Sequence, residues 1–267
     1  MAQIPFAVRP ALLAVLAVAL AGCFQMSSVL SVRADGSATL RDELTLSGMG
    51  LMALAEEAGG EDPWDQADFE ARAAALGEGV RLVSFEPRED GFAAVYEVAD
   101  VRTLRYSVQE GMGSSDVSGD LAFAFGFDAA TADAPATLRV LIPKPAQAKT
   151  GPPVAVGVDA SLIEEPAADA AERSQQVIGM MRSFLEDARL TVAVEVEGEI
   201  TQTNAAFAEG ARVTLFDLPF GPFLDAMADN PSWMSGGPTS AADMYDRVAE
   251  VEGIRIERPR TVRVRFR

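Results

Sequence analysis

The chain of 267 residues contains no histidine, a single cysteine and two lysines. Without histidine it lacks the side chain that most often acts as a general base near neutral pH and as a metal ligand. Ser-His-Asp and Cys-His catalysis are therefore excluded. One cysteine, Cys23, allows no intramolecular disulfide, so an exported form must be held by packing alone. No glycine-rich phosphate loop and no serine-nucleophile elbow is present. The acidic pairs Glu56-Glu57, Glu89-Asp90 and Glu164-Glu165 lack the spacing of a calcium loop and read as solvated surface. Both lysines, Lys144 and Lys149, sit in a proline-rich stretch, a poor setting for Ser-Lys chemistry. Neither a cofactor nor a metal nor a catalytic residue is expected.

What is present is apolar residues and negative charge. Hydrophobic residues make up 49% of the chain, enough for a sizeable core, and the formal charge is −18. So acidic a body repels nucleic acid, and no nucleic-acid partner is expected. The first 22 residues carry one charged side chain, Arg9, followed by an unbroken apolar run from Ala11 to Leu20. That run is shorter than the roughly 20 residues that span a bilayer, and it has the form of a secretory signal helix. It ends in Leu20-Ala21-Gly22-Cys23, which resembles the lipobox of bacterial lipoproteins. The resemblance implies cleavage between Gly22 and Cys23 and attachment of acyl chains to Cys23. At about 0.8 kcal/mol per buried methylene, two or more chains anchor a protein stably, so a membrane is the first partner expected. Residue 24 is Phe rather than Asp. By analogy with enterobacterial sorting this favours the periplasmic face of the outer membrane, with the outer face of the inner membrane as the alternative.

Along the chain, residues 1–22 read as signal peptide, 23–28 as the acylated cysteine with a short tether, and 29–267 as a single α+β domain. Five extended residues reach about 17 Å at most. Asp35-Gly36 between two alternating runs predicts a hairpin, with Leu40, Leu44 and Leu46 on one face. Helices are predicted over Met49 to Ala58 and Trp64 to Leu76, the second aligning Phe69, Ala73 and Leu76. A second hairpin spans Val80 to Val98, and Leu104 to Val108 is expected to extend its sheet. Strands follow at Leu121 to Phe127 and Thr137 to Ile142. Lys144 to Pro166 is an irregular, proline-rich excursion. The longest predicted helix runs from Ala167 to Arg189. Beyond it come a strand to Val196, a turn at Asn204, a returning strand from Arg212 to Phe216, short helices over Phe220 to Ala228 and from Ser240 to Glu250, and a terminal strand.

Two stretches suggest a family. One is Asp35-Gly36-Ser37, soon after Cys23. The other is Val194-Glu195-Val196-Glu197-Gly198-Glu199-Ile200-Thr201-Gln202-Thr203-Asn204-Ala205, followed by Gly210 and Val213-Thr214-Leu215. Together they resemble the LppM-type domain of bacterial lipoproteins. The resemblance implies a largely antiparallel, curved sheet with helices on one side, likened to lipid-binding folds. Two features depart from the family pattern: no C-terminal transmembrane helix precedes Arg267, and Leu215 and Phe216 stand where the returning strand usually carries Trp.

Three sets of residues are candidates for contact. Arg263, Arg265 and Arg267 share one face of the last strand, opposite Val262, Val264 and Phe266. They can bind lipid phosphates, or pair across strands with Glu195 and Glu197, the reading favoured here. Phe123, Phe125 and Phe127 can line a cavity, or be ordinary core, again the favoured reading. Trp233-Met234, in a loop between Pro231 and Gly236-Gly237, can touch a membrane or ligand, or fold under as a plug. The function expected is non-catalytic: binding a lipid or other apolar envelope molecule, or docking a membrane or envelope-protein partner. A structural or assembly lipoprotein without a small ligand is the alternative, and a carboxylate-based enzyme comes third.

Overall fold

In a computed structural model, residues 24–48, 50–51, 64–107, 122–143, 176–182, 185–230, 233 and 241–267 are described, with 241–244 in backbone only. They form an α+β fold built from two largely antiparallel sheets. The first, of eight strands, is organised around β1 (Phe24–Val32) and β2 (Ala38–Leu46), joined by the Asp35-Gly36 hairpin. On one side β2 pairs with β4 (Gly91–Val98), which pairs with β3 (Val80–Arg88). On the other side β1 runs parallel to β8 (Arg189–Val196). Next to β8 lies β11 (Arg212–Pro219), with β10 (Ala208–Glu209) and β12 (Arg255–Ile256) paired to it. The second sheet has the order β5 (Arg105–Ser107), β6 (Ala122–Asp128), β7 (Ala136–Leu141), β13 (Thr261–Phe266), β9 (Ile200–Thr203). Leu104 to Val108, expected to extend the second hairpin, contributes instead the edge strand β5 of this other sheet, paired with β6. A tight turn over Val101–Thr103 redirects the chain there.

β1 begins at Phe24, directly after Cys23. The residues expected as a tether, Phe24 to Ser28, are thus the first five of a central strand. They pair with β2 from Phe24↔Leu46 onward and with β8 from Gln25↔Arg189. At the far end of β1, Asp35 Oδ1 accepts hydrogen bonds from the Ser37 amide at 2.9 Å and the Ser37 hydroxyl at 2.7 Å, which hold its carboxyl below the usual range. Gly36 takes φ +90°, and a β-carbon there would meet the Phe127 ring at 2.7 Å, so only glycine lets the turn close onto the second sheet.

The alternation of each strand sends one face inward. Leu30, Leu40, Tyr96, Val192 and Val194 from the first sheet meet Phe123, Phe125, Phe127, Leu138, Val264 and Phe266 from the second in one core. The helix α1 (Gln66–Leu76) closes the rest of that face. Asp65 caps it by accepting from the Ala67 amide at 2.9 Å, and Phe69, Ala73 and Leu76 are buried as the spacing predicts. Phe69 packs 4.4 Å from Phe85 and 4.6 Å from Phe92, ring centre to ring centre. The void between the sheets, beside Ser28, Leu104, Tyr106 and Phe125, is about 10 Å³, no more than one water.

A smaller cluster of Val248, Ile254 and Ile256 joins α2 (Phe220–Asp229) and α3 (Ala241–Val248) to the β11–β12 end of the first sheet. Among the described residues no helix is long and apolar enough to cross a membrane. Most of the predicted helix Met49 to Ala58, the excursion Lys144 to Pro166 and most of Ala167 to Arg189 lie outside the described residues; 176–182 are helical, and Arg189 already belongs to β8.

Candidate functional site

An open cleft of about 380 Å³ lies on the outer face of the first sheet. Its floor follows from strand parity. Leu190, Val192, Val194 and Val196 point inward, so Arg189, Thr191 and Glu195 point out. On β11 the register slips between Thr214 and Phe216, and this bulge turns Asp217 outward, opposite Thr191. There Arg189 grips it with both arms of its guanidinium, Nε to Oδ1 and Nη2 to Oδ2, each at 2.7 Å. Thr191 adds a hydroxyl at 3.3 Å from Oδ1. The carboxylate raises the Arg189 pKa through these bonds. Arg212 donates to Glu195 at 2.8 Å across the β8–β11 pair.

Arg255 is opposite Asp217 in the β11–β12 register and lines the same cleft, yet both Asp217 oxygens are already occupied. Its side chain makes no ion pair among the described residues. The remaining wall is the connection through Ala206, Phe207 and Ala208, with Glu209 at the rim. Glu257 fixes that wall from behind. It is fully buried, and its Oε1 accepts the Phe207 amide at 2.8 Å. Its own amide donates to the Leu215 carbonyl at 3.0 Å. Burial pushes its carboxyl pKa up, against the pull of the Phe207 and Ala206 amides.

No family model matches the chain, and no curated protein sequence does. Among solved structures the chain is matched to the folded domain of LppM from Mycobacterium tuberculosis, determined by NMR. It is 10% identical, with 92% of each chain covered and a TM-score of 0.29. A likeness of that degree bears on no ligand or role.

Cys23, Gly22 and Met234 lie outside the described residues. Phe123, Phe125 and Phe127 are buried to 5%, 8% and 7% exposure in the shared core, and the void beside Phe125 is about 10 Å³. On the opposite face of β6, Gly126 lies against the Arg139 side chain, which pairs with Asp128. Trp233 is half-buried and packs on the cluster of Val248, Ile254 and Ile256. The pairing of the terminal arginines with Glu195 and Glu197 is corrected by the structure. Glu195 is bound to Arg212 and Glu197 to Arg33 at 3.1 Å, because β13 belongs to the other sheet. Arg265 donates to Gln202 at 2.9 Å, and Arg267 bonds Glu199 through its backbone. At Asn204, where a turn was expected, the backbone φ is negative. Asn204 acts instead as a cross-strand clamp, donating to the Thr261 carbonyl at 3.0 Å and accepting the Arg263 amide at 2.6 Å.

Two features were missed. One is the buried Asp42, on the face shared by Leu40 and Leu44, with its Oδ2 2.8 Å from Arg72 Nη2 of α1. Burial pushes its carboxyl up, and Arg72 and then the Ser28 hydroxyl offset part of that. Tyr96 beside it is pushed up to about 12, chiefly by burial. The other is an aromatic run at the start of β1. The Phe24 ring lies 5.5 Å from Phe220, and Phe220 lies 6.2 Å from Phe223, all three half-buried.

Proposed function

We propose that this chain is an exported lipoprotein, acylated on Cys23, which works by binding at its surface and not by catalysis. It docks an envelope component while its own core stays closed. The leader and the Leu20-Ala21-Gly22-Cys23 motif support export and acylation. The observation that carries the reading is that β1 starts at Phe24, so no free chain separates the anchor from the sheet. The Phe24, Phe220 and Phe223 rings then lie at the membrane boundary, where half-buried aromatic residues are at home. The filled space between the sheets argues against carriage of an apolar molecule inside. The outer membrane's periplasmic face is the favoured location.

This orientation separates the terminal arginines from that membrane. Glu197 bonds Val32 at the far end of β1, and Glu199 bonds Arg267. Eight steps of strand separate Phe24 from Val32, about 26 Å at roughly 3.3 Å per residue. Radiolabelled palmitate incorporation into the full chain, compared with Cys23→Ala, tests the anchor: the label and membrane association should both be lost, and label retained by the variant overturns it. A spin label at Phe220→Cys on the anchored protein should be reached by oxygen dissolved in the bilayer, and one at Arg267→Cys should not. The reverse pattern refutes the orientation.

A further inference from the structure

We infer that the cleft between β8, β11 and β12 is a binding site for a phosphate ester, either a lipid headgroup or a free solute. The inference holds whether or not Cys23 is acylated, since it rests on the cleft alone. The volume of about 380 Å³ falls within the range of small-molecule sites. Arg189 and Arg255 flank Asp217 at one end of it, and Arg212 lines the other end. Two have carboxylate partners of their own: Asp217 holds Arg189 with both oxygens, and Glu195 holds Arg212. These pairs fix the two side chains in place and leave donors of each guanidinium unused, because an arginine has five. Among the described residues Arg255 is the surplus cation. It stands opposite a carboxylate that Arg189 already holds by both oxygens, in a protein with 40 acidic residues against 22 basic ones. In so acidic a chain a cation without a partner would readily find a carboxylate if its strand position did not hold it over the cleft.

The rest of the lining fits the same ligand. Thr191 and Thr214 place hydroxyls on the floor, and Phe207 offers an apolar wall for the carbon skeleton of an ester. Glu257 pins the wall through the Phe207 amide, so the cleft is formed before any ligand arrives. Two carboxylates oppose it: Asp217 in the lining, which Arg189 neutralises, and Glu209 at the rim. A tetrahedral phosphate accepts hydrogen bonds from two guanidinium groups at once, which a planar carboxylate does less well, and this sets the ligand class.

The test uses the full-length membrane protein purified in neutral detergent micelles. Glycerol 3-phosphate is titrated and followed by its phosphorus NMR line width. In parallel, the micelles are doped with phosphatidylglycerol or with diacylglycerol, and thermal unfolding is recorded. Binding of glycerol 3-phosphate supports the site with a free ester as ligand. Stabilisation by phosphatidylglycerol but not diacylglycerol supports it with a headgroup as ligand. In either arm Arg255→Gln should weaken the response about tenfold, the scale of one charge-assisted hydrogen bond. Glu209→Gln should strengthen it about threefold, the scale of one exposed charge contact. Among the described residues Arg255 has no ion pair to lose, so its variant should melt with the wild type. Should it not, Glu209→Gln still gives a change of opposite sign. Absence of any phosphate response in the wild type, or an equal response in Arg255→Gln and Glu209→Gln, overturns the inference. Loss of acylation with binding intact would refute the anchor alone.

Discussion

Replacing Arg72 with methionine removes the cation that faces a fully buried carboxyl while keeping most of the apolar stem that packs beneath it. Asp42 has no exposed side-chain surface, and the Arg72 side chain retains 14%. Deprived of its partner, Asp42 must stay charged in apolar surroundings or take up a proton. The proton sets the ceiling. Its ordinary value is 3.8, and holding such a group neutral at pH 7 costs about 4 kcal/mol at 1.36 kcal/mol per pH unit. The wild type already bears part of this, since burial has raised the pKa in spite of Arg72. We expect a loss of about 2–3 kcal/mol at pH 7, below the 3–5 kcal/mol typical for breaking a fully buried pair. The sign with pH follows from proton binding. The folded state holds the proton more tightly than the unfolded one, so stability is greatest below pH 3.8 and falls as pH rises through the folded pKa. Arg72→Met raises that pKa further. Its penalty should therefore be small near pH 4, grow with pH, and level off above the new folded value. Urea unfolding followed by far-ultraviolet circular dichroism, at several pH values from 4 to 8, measures it. In an Asp42→Asn background the same substitution should cost less than about 1 kcal/mol, because no charge is left to strand. An equal cost in both backgrounds, or a penalty that ignores pH, refutes the reasoning.

Three other outcomes are expected. Asn204→Ala removes both side-chain bonds to β13 and should lower the urea-derived stability by about 1–3 kcal/mol, with Asn204→Asp losing only part of that because it still accepts the Arg263 amide. The double substitution Arg263→Gln, Arg265→Gln should change stability by less than about 0.5 kcal/mol, because among the described residues the Arg265 side chain bonds only Gln202 and neither arginine pairs with Glu195 or Glu197; a loss above about 1.5 kcal/mol in the same assay would restore the cross-strand pairing. Gly198→Ala places a β-carbon 2.1 Å from the Arg267 carbonyl oxygen at φ +136°, and should cost about 1–3 kcal/mol and speed amide exchange at Glu199 and Arg267.

Period-two alternation made most strands and their inward faces legible, because it depends only on neighbours in the chain. It could not say which strand pairs with which. Leu104 to Val108 therefore read as one more strand of the hairpin sheet, when the turn at Val101–Thr103 carries it to β6. Asp42 was within reach of the same rule: it falls between Leu40 and Leu44 on the inward face, and a charge there demands a partner. That partner, Arg72, comes from a helix about 30 residues on, at an angle no periodicity encodes. In the cleft, Arg189 and Thr191 are outward by parity alone. Asp217 is not. Counted straight from the inward Val213 it should point inward, and only the bulge at Leu215 reverses it. The cleft thus arises from one extra residue in β11, which leaves no trace in the hydrophobic pattern.

The same register fixes where the cleft stands relative to the proposed anchor. Arg189 pairs with Gln25, two residues beyond Cys23, about 7 Å along the strand at roughly 3.3 Å per residue. Arg212 is opposite Glu195, which pairs with Ser31, about 20 Å further out by the same measure. The polar headgroup layer of a bilayer is about 5–8 Å deep on each side. With Cys23 acylated, the lower end of the cleft therefore lies among the headgroups and its upper end opens to the aqueous space. The arginines of β13, on the other sheet, have no such position, since their strand ends with Arg267 beside the far end of β1. The sequence posed the choice of membrane-facing surface as the terminal arginines or the Trp233 loop. The paired strands favour a third surface, the end of the fold bearing Phe24, Phe220 and Arg189, where apolar rings and a cationic cleft meet the two layers of a lipid boundary in the right order.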